Sequence, residues 1–258
     1  RPFIRRRLKK EVLKDLPDKI EKNMAACMEQ KQKELYHAHA QRLALMLQNQ
    51  TEEEFADSRF QVLSELTRLR QLCCDPALVY ENYEGGSAKL DLCIELIQSA
   101  VESGHKILLF SQFTSMIEIL TARLQEESIS CFVLQGSTKK EQRAQMVEQF
   151  NRDDTSVFCI SLKAGGTGLN LTGADIVIHY DPWWNVAVEN QATDRAHRIG
   201  QKNVVTVYKL IAKGTIEEKI IKLQQMKKEL AEEILSGDEI KTASFQREEL
   251  LELLEERF

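Results

Sequence analysis

Val157-Phe158-Cys159-Ile160-Ser161-Leu162-Lys163-Ala164-Gly165-Gly166-Thr167-Gly168 sets the architecture, because an apolar run of strand length passes directly into a glycine-rich turn. The run does not alternate between apolar and polar, so both of its faces are expected to be covered, as in a parallel sheet with helices on either side. Four other runs share this texture: Lys106 to Phe110, Cys131 to Gln135, Asp175 to Tyr180 and Val204 to Ile211. Amphipathic stretches lie between them, from about Thr114 to Glu127, Thr138 to Asn151 and Val186 to Ile199. The second opens with a Thr138-x-x-Glu141 capping box. Strands alternating with helices predict an α/β fold, with ligands taken at the carboxyl ends of the strands.

Upstream, the chain from Glu21 to about Cys74 has no Gly or Pro, and Leu43, Leu47, Leu63, Leu66 and Leu69 recur at helical spacing. This reads as a helical hairpin that breaks at Gln48-Asn49-Gln50-Thr51, where Thr51-x-x-Glu54 caps the second helix. Asp75-Pro76 ends the hairpin, Glu84-Gly85-Gly86 forms a joint, and Ser87 starts a helix with Leu90, Ile94, Ile97 and Val101 on one face. Downstream, Thr215-x-x-Glu218 opens a long helix striped by Ile216, Ile220, Leu223, Leu230 and Ile234, which ends near Gly237 before an acidic, leucine-dotted tail. The expected division is a linker at 1–20, a hairpin subdomain at 21–84, the sheet lobe at 85–214 and a helical extension at 215–258.

The chain has 258 residues, 43% of them hydrophobic and 29% charged, enough for one substantial core and an appendage. No apolar run approaches the roughly 20 residues a bilayer demands, so a soluble protein without membrane association is expected. A start at Arg1 with no initiator Met suggests a piece of a longer protein. The six cysteines include no C-x-x-C pair, which favours reduced thiols and no metal site. A net charge of -5 hides a basic opening stretch and a Glu-rich end, so any nucleic-acid surface must be a local patch.

The densest chemical signal is Gln191-Ala192-Thr193-Asp194-Arg195-Ala196-His197-Arg198-Ile199-Gly200-Gln201. On a continuous helix Gln191, Arg195 and Arg198 would share a face. Two permanently charged guanidiniums presented together suit the charge that develops on a transferring γ-phosphoryl group, although a solvated basic face has the same spacing. The glycines after Leu162 would let backbone approach a phosphate closely. A dinucleotide-binding turn would do so too, but the G-x-G-x-x-G spacing is absent. Asp181-Pro182-Trp183-Trp184-Asn185 places both tryptophans at one turn, where either packing or contact with a partner would account for them. Ser111, Gln112, Gly136 and Ser137 fall just past strand ends, and His179 and His197 read as ordinary packing residues.

In this order, the strings resemble the SWI/SNF-type DNA translocases of helicase superfamily two, over nearly the whole chain. Arg1-Pro2-Phe3-Ile4-Arg5-Arg6 with Leu16-Pro17-x-Lys19 is similar to the family's link between lobes, and Arg70 to Pro76 to its hairpin exit. Ile107 to Phe113, Gln135 to Thr138, Ser161 to Leu171 and Gln191 to Gln201 are similar to its successive helicase motifs. The resemblance implies a RecA-like C-terminal helicase lobe of the P-loop NTPase type with the hairpin inserted before it. It implies arginine fingers at Arg195 and Arg198, and places Gln191, Asp194, Gly166 and Gly168 at the ATP cleft. DNA contacts fall to Lys163, Trp184, Ser111, Gln112, Gly136 and Ser137. Val186 stands where the family usually has Pro.

A complete motor also needs a G-x-x-x-x-G-K-[ST] phosphate loop and an acidic pair for magnesium, and these 258 residues contain neither. ATP and Mg are therefore expected to be held mainly by a separate N-terminal lobe, so that this chain alone should not hydrolyse ATP. Its expected partners are that lobe, double-stranded DNA and a protein cargo, in a prokaryotic cytoplasm at the nucleoid, with a nucleus as the alternative. Two other readings stay open: an RNA-helicase lobe, and a non-enzymatic scaffold that binds proteins through its hairpin and acidic tail.

Overall fold

A computed structural model describes residues 16–162, 164, 169–233, 250, 251 and 254. In chain order its elements are β1 (Lys19–Ala26), α1 (Gln30–Gln48), α2 (Glu52–Cys74), a 3-10 turn (Pro76–Leu78), α3 (Ala88–Glu102), β2 (Ile107–Ser111) and α4 (Thr114–Glu126). There follow β3 (Cys131–Leu134), α5 (Lys140–Arg152), β4 (Val157–Ser161), β5 (Ile176–His179), α6 (Val186–Thr193), β6 (Val205–Ala212) and α7 (Ile216–Glu233). The strands form one sheet in the order β1-β6-β5-β2-β4-β3, with β2–β4, β2–β5, β3–β4 and β5–β6 all parallel. Every residue of β2, β4 and β5 is buried, as expected of unbroken apolar runs in a doubly covered parallel sheet.

The sixth strand departs from the sequence reading, which began the helical hairpin at Glu21. Residues 19–26 are extended instead: the amide of Val205 donates to the carbonyl of Asp18 at 3.0 Å and that of Lys213 to Ala26 at 2.8 Å. Met24 and Ala26 turn inward at a period of two, and a tertiary ladder overrides the lack of Gly and Pro. The rest of the hairpin forms as read, with both halves of the Thr51–Glu54 capping box in place.

By contact the chain divides into two units with interleaved segments, whereas the sequence suggested contiguous ones. One runs up to Asn23 and includes Ile94–His179 and Ala187–Lys209. Its core gathers Leu108, Phe110, Leu134, Phe150, Phe158, Ile160 and Val177, with the rings of Phe150 and Phe158 5.3 Å apart. The other comprises Met24–Cys93, Tyr180–Val186 and the chain from Leu210 onward. There Leu43, Leu47, Val62, Leu66 and Leu69 of the hairpin pack with Ile216 and Ile220, and Leu250 and Leu254 of the acidic tail join them. Each fully buried aliphatic side chain of this kind contributes about 1.5–3 kcal/mol of transfer free energy. The remaining positions of the stripe, Leu230 and Ile234, lie outside the described side chains, as does the expected helix end near Gly237.

Candidate functional site

In the first unit the parallel register sets Ser111 beside Ser161, Phe110 beside both Ile160 and His179, and Leu134 beside Ile160. The chain segments leaving β2, β3 and β4 therefore emerge at one carboxyl edge, where α/β sheets take their ligands. Ser111 is buried. Its hydroxyl accepts from the Phe113 amide at 3.2 Å and its carbonyl accepts from the Leu162 amide at 2.9 Å, so it shapes the edge from within. Gln112 is half-buried, and Gly136 and Ser137 are exposed. A Cβ added at Gly136 would meet nothing within 4 Å, so no packing demand requires glycine there. Lys163, Gly166 and Gly168 lie outside the described residues.

Arg143 on α5 binds two of these segments together. Its Nε donates to the Thr138 carbonyl at 2.9 Å, Nη1 to Ala164 at 2.9 Å, and Nη2 to Gln135 and Gly136 at 3.2 Å each. Sequence reasoning missed it, since an arginine in a helix this polar reads as a solvated cation. The capping box expected at Thr138 is not formed either. The Thr138 hydroxyl accepts from the Gln135 amide at 3.1 Å and closes the turn after β3, and Lys139 occupies the cap position of α5.

The arginine-bearing helix is shorter than predicted. α6 stops at Thr193, and Asp194 to Gly200 run through turns. The cause is tertiary: the Arg195 carbonyl accepts from the Leu171 amide at 3.0 Å, and the amide of Arg198 bonds two residues back, to Ala196. Gln201 completes the fastening. Its Nε2 donates to the carbonyls of Ala174 at 2.7 Å, Ala196 at 3.2 Å and Thr172 at 3.3 Å, while Oε1 accepts from the amides of Lys202 and Asn203.

Arg195 and Arg198 therefore do not share a solvent-facing helical stripe. Arg195 is 6% exposed and lies over the Phe110 ring, and burial draws its pKa down to about 10, which still leaves it charged at neutral pH. Arg198 is exposed, with Nη1 3.5 Å from the Leu169 carbonyl, and Gln191 and Asp194 are exposed too. His179 is buried against Phe110, and His197 donates through Nε2 to the Pro17 carbonyl at 2.7 Å.

In the second unit Arg70, 4% exposed, lies 5.2 Å from the Trp183 ring and 5.6 Å from that of Trp184. It donates to the Pro182 carbonyl at 2.6 Å, with Asp181 at 3.9 Å. Gln224 donates to the Trp183 carbonyl, and the half-buried Trp184 packs against the hairpin core. The Asp181–Trp184 turn thus owes its shape to an arginine of the hairpin exit. Nearby, Lys89 donates to both carboxylate oxygens of Glu217 at 2.6 Å. Burial opposes the ammonium form, but Glu217 together with Cys74 and Cys73 outweighs that effect and holds Lys89 above its ordinary pKa.

Among the described residues no group of three His, Cys, Asp or Glu side chains could hold a metal ion, and no helix is long and apolar enough to cross a membrane. For a nucleotide, the exposed Arg198 guanidinium suits a triphosphate, whereas the Asp194 carboxylate does not.

Residues 88–200 match the helicase conserved C-terminal domain and residues 1–78 match the SNF2-related domain. The solved C-terminal domain of the Sulfolobus solfataricus SWI2/SNF2 ATPase is 33% identical, covering 86% of this chain and 91% of that one, with a TM-score of 0.69. The ATPase core from the same organism, solved in complex with dsDNA, is 35% identical over 91% of this chain and 50% of its own, with a TM-score of 0.72. An uncharacterized ATP-dependent helicase of Mycoplasma pneumoniae is 42% identical over 98% of this chain, which spans only 24% of that protein. A parallel sheet of this order, matched by these solved structures, is that of a RecA-like helicase C-terminal lobe. The chain belongs to the SWI2/SNF2 family of ATP-dependent helicases.

Proposed function

We propose that this chain is the second motor lobe of an ATP-dependent double-stranded DNA translocase, one that supplies a guanidinium to a nucleotide held elsewhere and part of the DNA track. The observation that carries this reading is Arg198: a permanently charged, exposed group on a turn clamped by the Arg195–Leu171 backbone bond and the Gln201 network. Such pre-organisation aims charge without reorganisation at the moment of reaction, and an arginine finger is worth roughly 10³ to 10⁵ in rate. Arg195 fits a finger less well in this arrangement, being buried on Phe110, and its first task is to support the turn.

When bound, ATP with its Mg supplies the phosphoryl chemistry, and both sit mainly on a separate N-terminal lobe. This chain's part is to place Arg198 against the γ-phosphate, with the exposed Gln191 as a further candidate contact. The loop after β3 meets the DNA backbone through exposed Gly136 and Ser137, and Lys163, outside the described residues, is a further candidate contact. Contacts of this kind position a duplex without reading its sequence. Trp184 is at most an edge contact, since Arg70 and the hairpin core hold its ring. The protein works in a prokaryotic cytoplasm near the nucleoid, displacing a protein cargo.

Fluorescence anisotropy of the chain with duplex DNA, duplex RNA and single strands over a salt series tests the reading. Duplex DNA should bind best, with log K falling linearly in log salt. Preference for RNA or for single strands overturns it, as would DNA-stimulated ATP turnover by this chain alone for the claim of dependence on another lobe.

A further inference from the structure

We infer that Arg143 is a positioning residue that couples duplex binding at the loop after β3 to ATP hydrolysis, by locking that loop to the segment that leaves β4. The inference rests on the translocase reading of this edge. All four of its acceptors are backbone carbonyls: Gln135, Gly136 and Thr138 in the first loop, and Ala164 in the second. Among the described residues its hydrogen bonds all go to these carbonyls and none to a carboxylate. A guanidinium spends its donors in a fixed planar fork, so a shift of the first loop by a fraction of an ångström must be passed to Ala164 or break a bond. The first loop is internally closed by Thr138, whose hydroxyl accepts from Gln135 and whose amide donates to the Gln135 carbonyl at 3.1 Å. It therefore moves as one piece.

The direction of the coupling follows from the surfaces. Gly136 is exposed, free of any packing demand and without the backbone strain that favours glycine, so its bare backbone is suited to close approach from outside. On the other side, Ala164 belongs to the buried apolar cluster that also holds Leu171 and Ala196, and the Leu171 amide holds the Arg195 carbonyl. A duplex seated on Gly136 thus acts through Arg143 and Ala164 on the packed cluster that carries the arginine turn. Lysine keeps the charge but has a single nitrogen, which cannot span four carbonyls on two segments.

The test uses the ATPase carrying both lobes, with Arg143→Lys, Arg143→Gln and Arg143→Ala. ATP turnover is measured without DNA and with saturating duplex, alongside duplex affinity and its salt slope. The expected result is unchanged basal turnover and salt slope in all three variants, with the ratio of stimulated to basal turnover reduced about tenfold in lysine as in alanine. Full stimulation in Arg143→Lys overturns the inference, because charge alone would then suffice and Arg143 would be an ordinary phosphate contact. An equal fall of basal and stimulated rates in Arg143→Lys and Arg143→Gln also overturns it, leaving a brace without coupling. A wild type that duplex DNA does not stimulate defeats the translocase reading itself, and is recognised before any variant is compared.

Discussion

The Arg195 guanidinium lies 5.5 Å from the centroid of the Phe110 ring, at the end of β2, while Arg198 three residues later is exposed. One arginine of the pair is built into the lobe and the other presented by it. Phe110 is the platform. Phe110→Leu keeps an apolar side chain but removes the ring face, so urea unfolding should report a loss of about 1–3 kcal/mol. An unchanged unfolding midpoint would show that the ring is not supporting the turn.

Gln201 is the second support. Its one amide satisfies three carbonyls and two N–H groups, and alanine would leave buried acceptors without donors. Gln201→Ala should cost on the order of 2–4 kcal/mol in thermal or chemical unfolding, and Gln201→Glu should be worse because it turns a carboxylate toward carbonyls. Equal stability of the Glu variant and the wild type would exclude this network.

His179 makes the fold acid-sensitive. Burial pulls its pKa down to about 4, with Glu189, Lys209, Glu21 and Lys19 among the charges around it, while an unfolded imidazole titrates near 6.5. The unfolded chain therefore takes up a proton that the folded chain refuses until about pH 4. This contribution is complete above about pH 6.5 and is lost as the pH falls toward 4, by up to about 3 kcal/mol. Unfolding measured between pH 7 and 4 should show this loss in the wild type and a flatter profile in His179→Phe.

The Lys89–Glu217 pair should behave as a unit. Removing either charge alone strands the other in the interior, at about 3–5 kcal/mol, whereas Lys89→Met combined with Glu217→Leu should regain more than half of that loss. Additive single-variant costs in the double variant would contradict the coupling.

The sequence reading succeeded where local pattern and tertiary demand agree. β2 and β4 are unbroken apolar runs and end up covered on both faces, and the Thr51–Glu54 box closes as written. It failed where a distant partner intervenes. The Leu171 amide captures the Arg195 carbonyl and ends α6 early, which no residue within the helix announces. Of the three capping boxes read, two dissolve into other bonds. Thr138 serves the turn at Gln135, and the Thr215 hydroxyl donates to Ala212 and accepts from Glu217 instead of Glu218. The strings carrying Arg198, Gly136 and Ser137 were visible as motifs, but the braces Arg143, Arg70 and Gln201 were not, because each acts on carbonyls brought near only by the fold.

The account turns on whether Arg198 acts on a nucleotide bound by another lobe. Duplex-stimulated ATP turnover by the two-lobed ATPase, wild type against Arg198→Ala, measures this directly. The predicted result is a fall of roughly 10³-fold or more in turnover, with duplex affinity and thermal midpoint unchanged. Turnover within a few-fold of the wild type, from a folded variant, would contradict it.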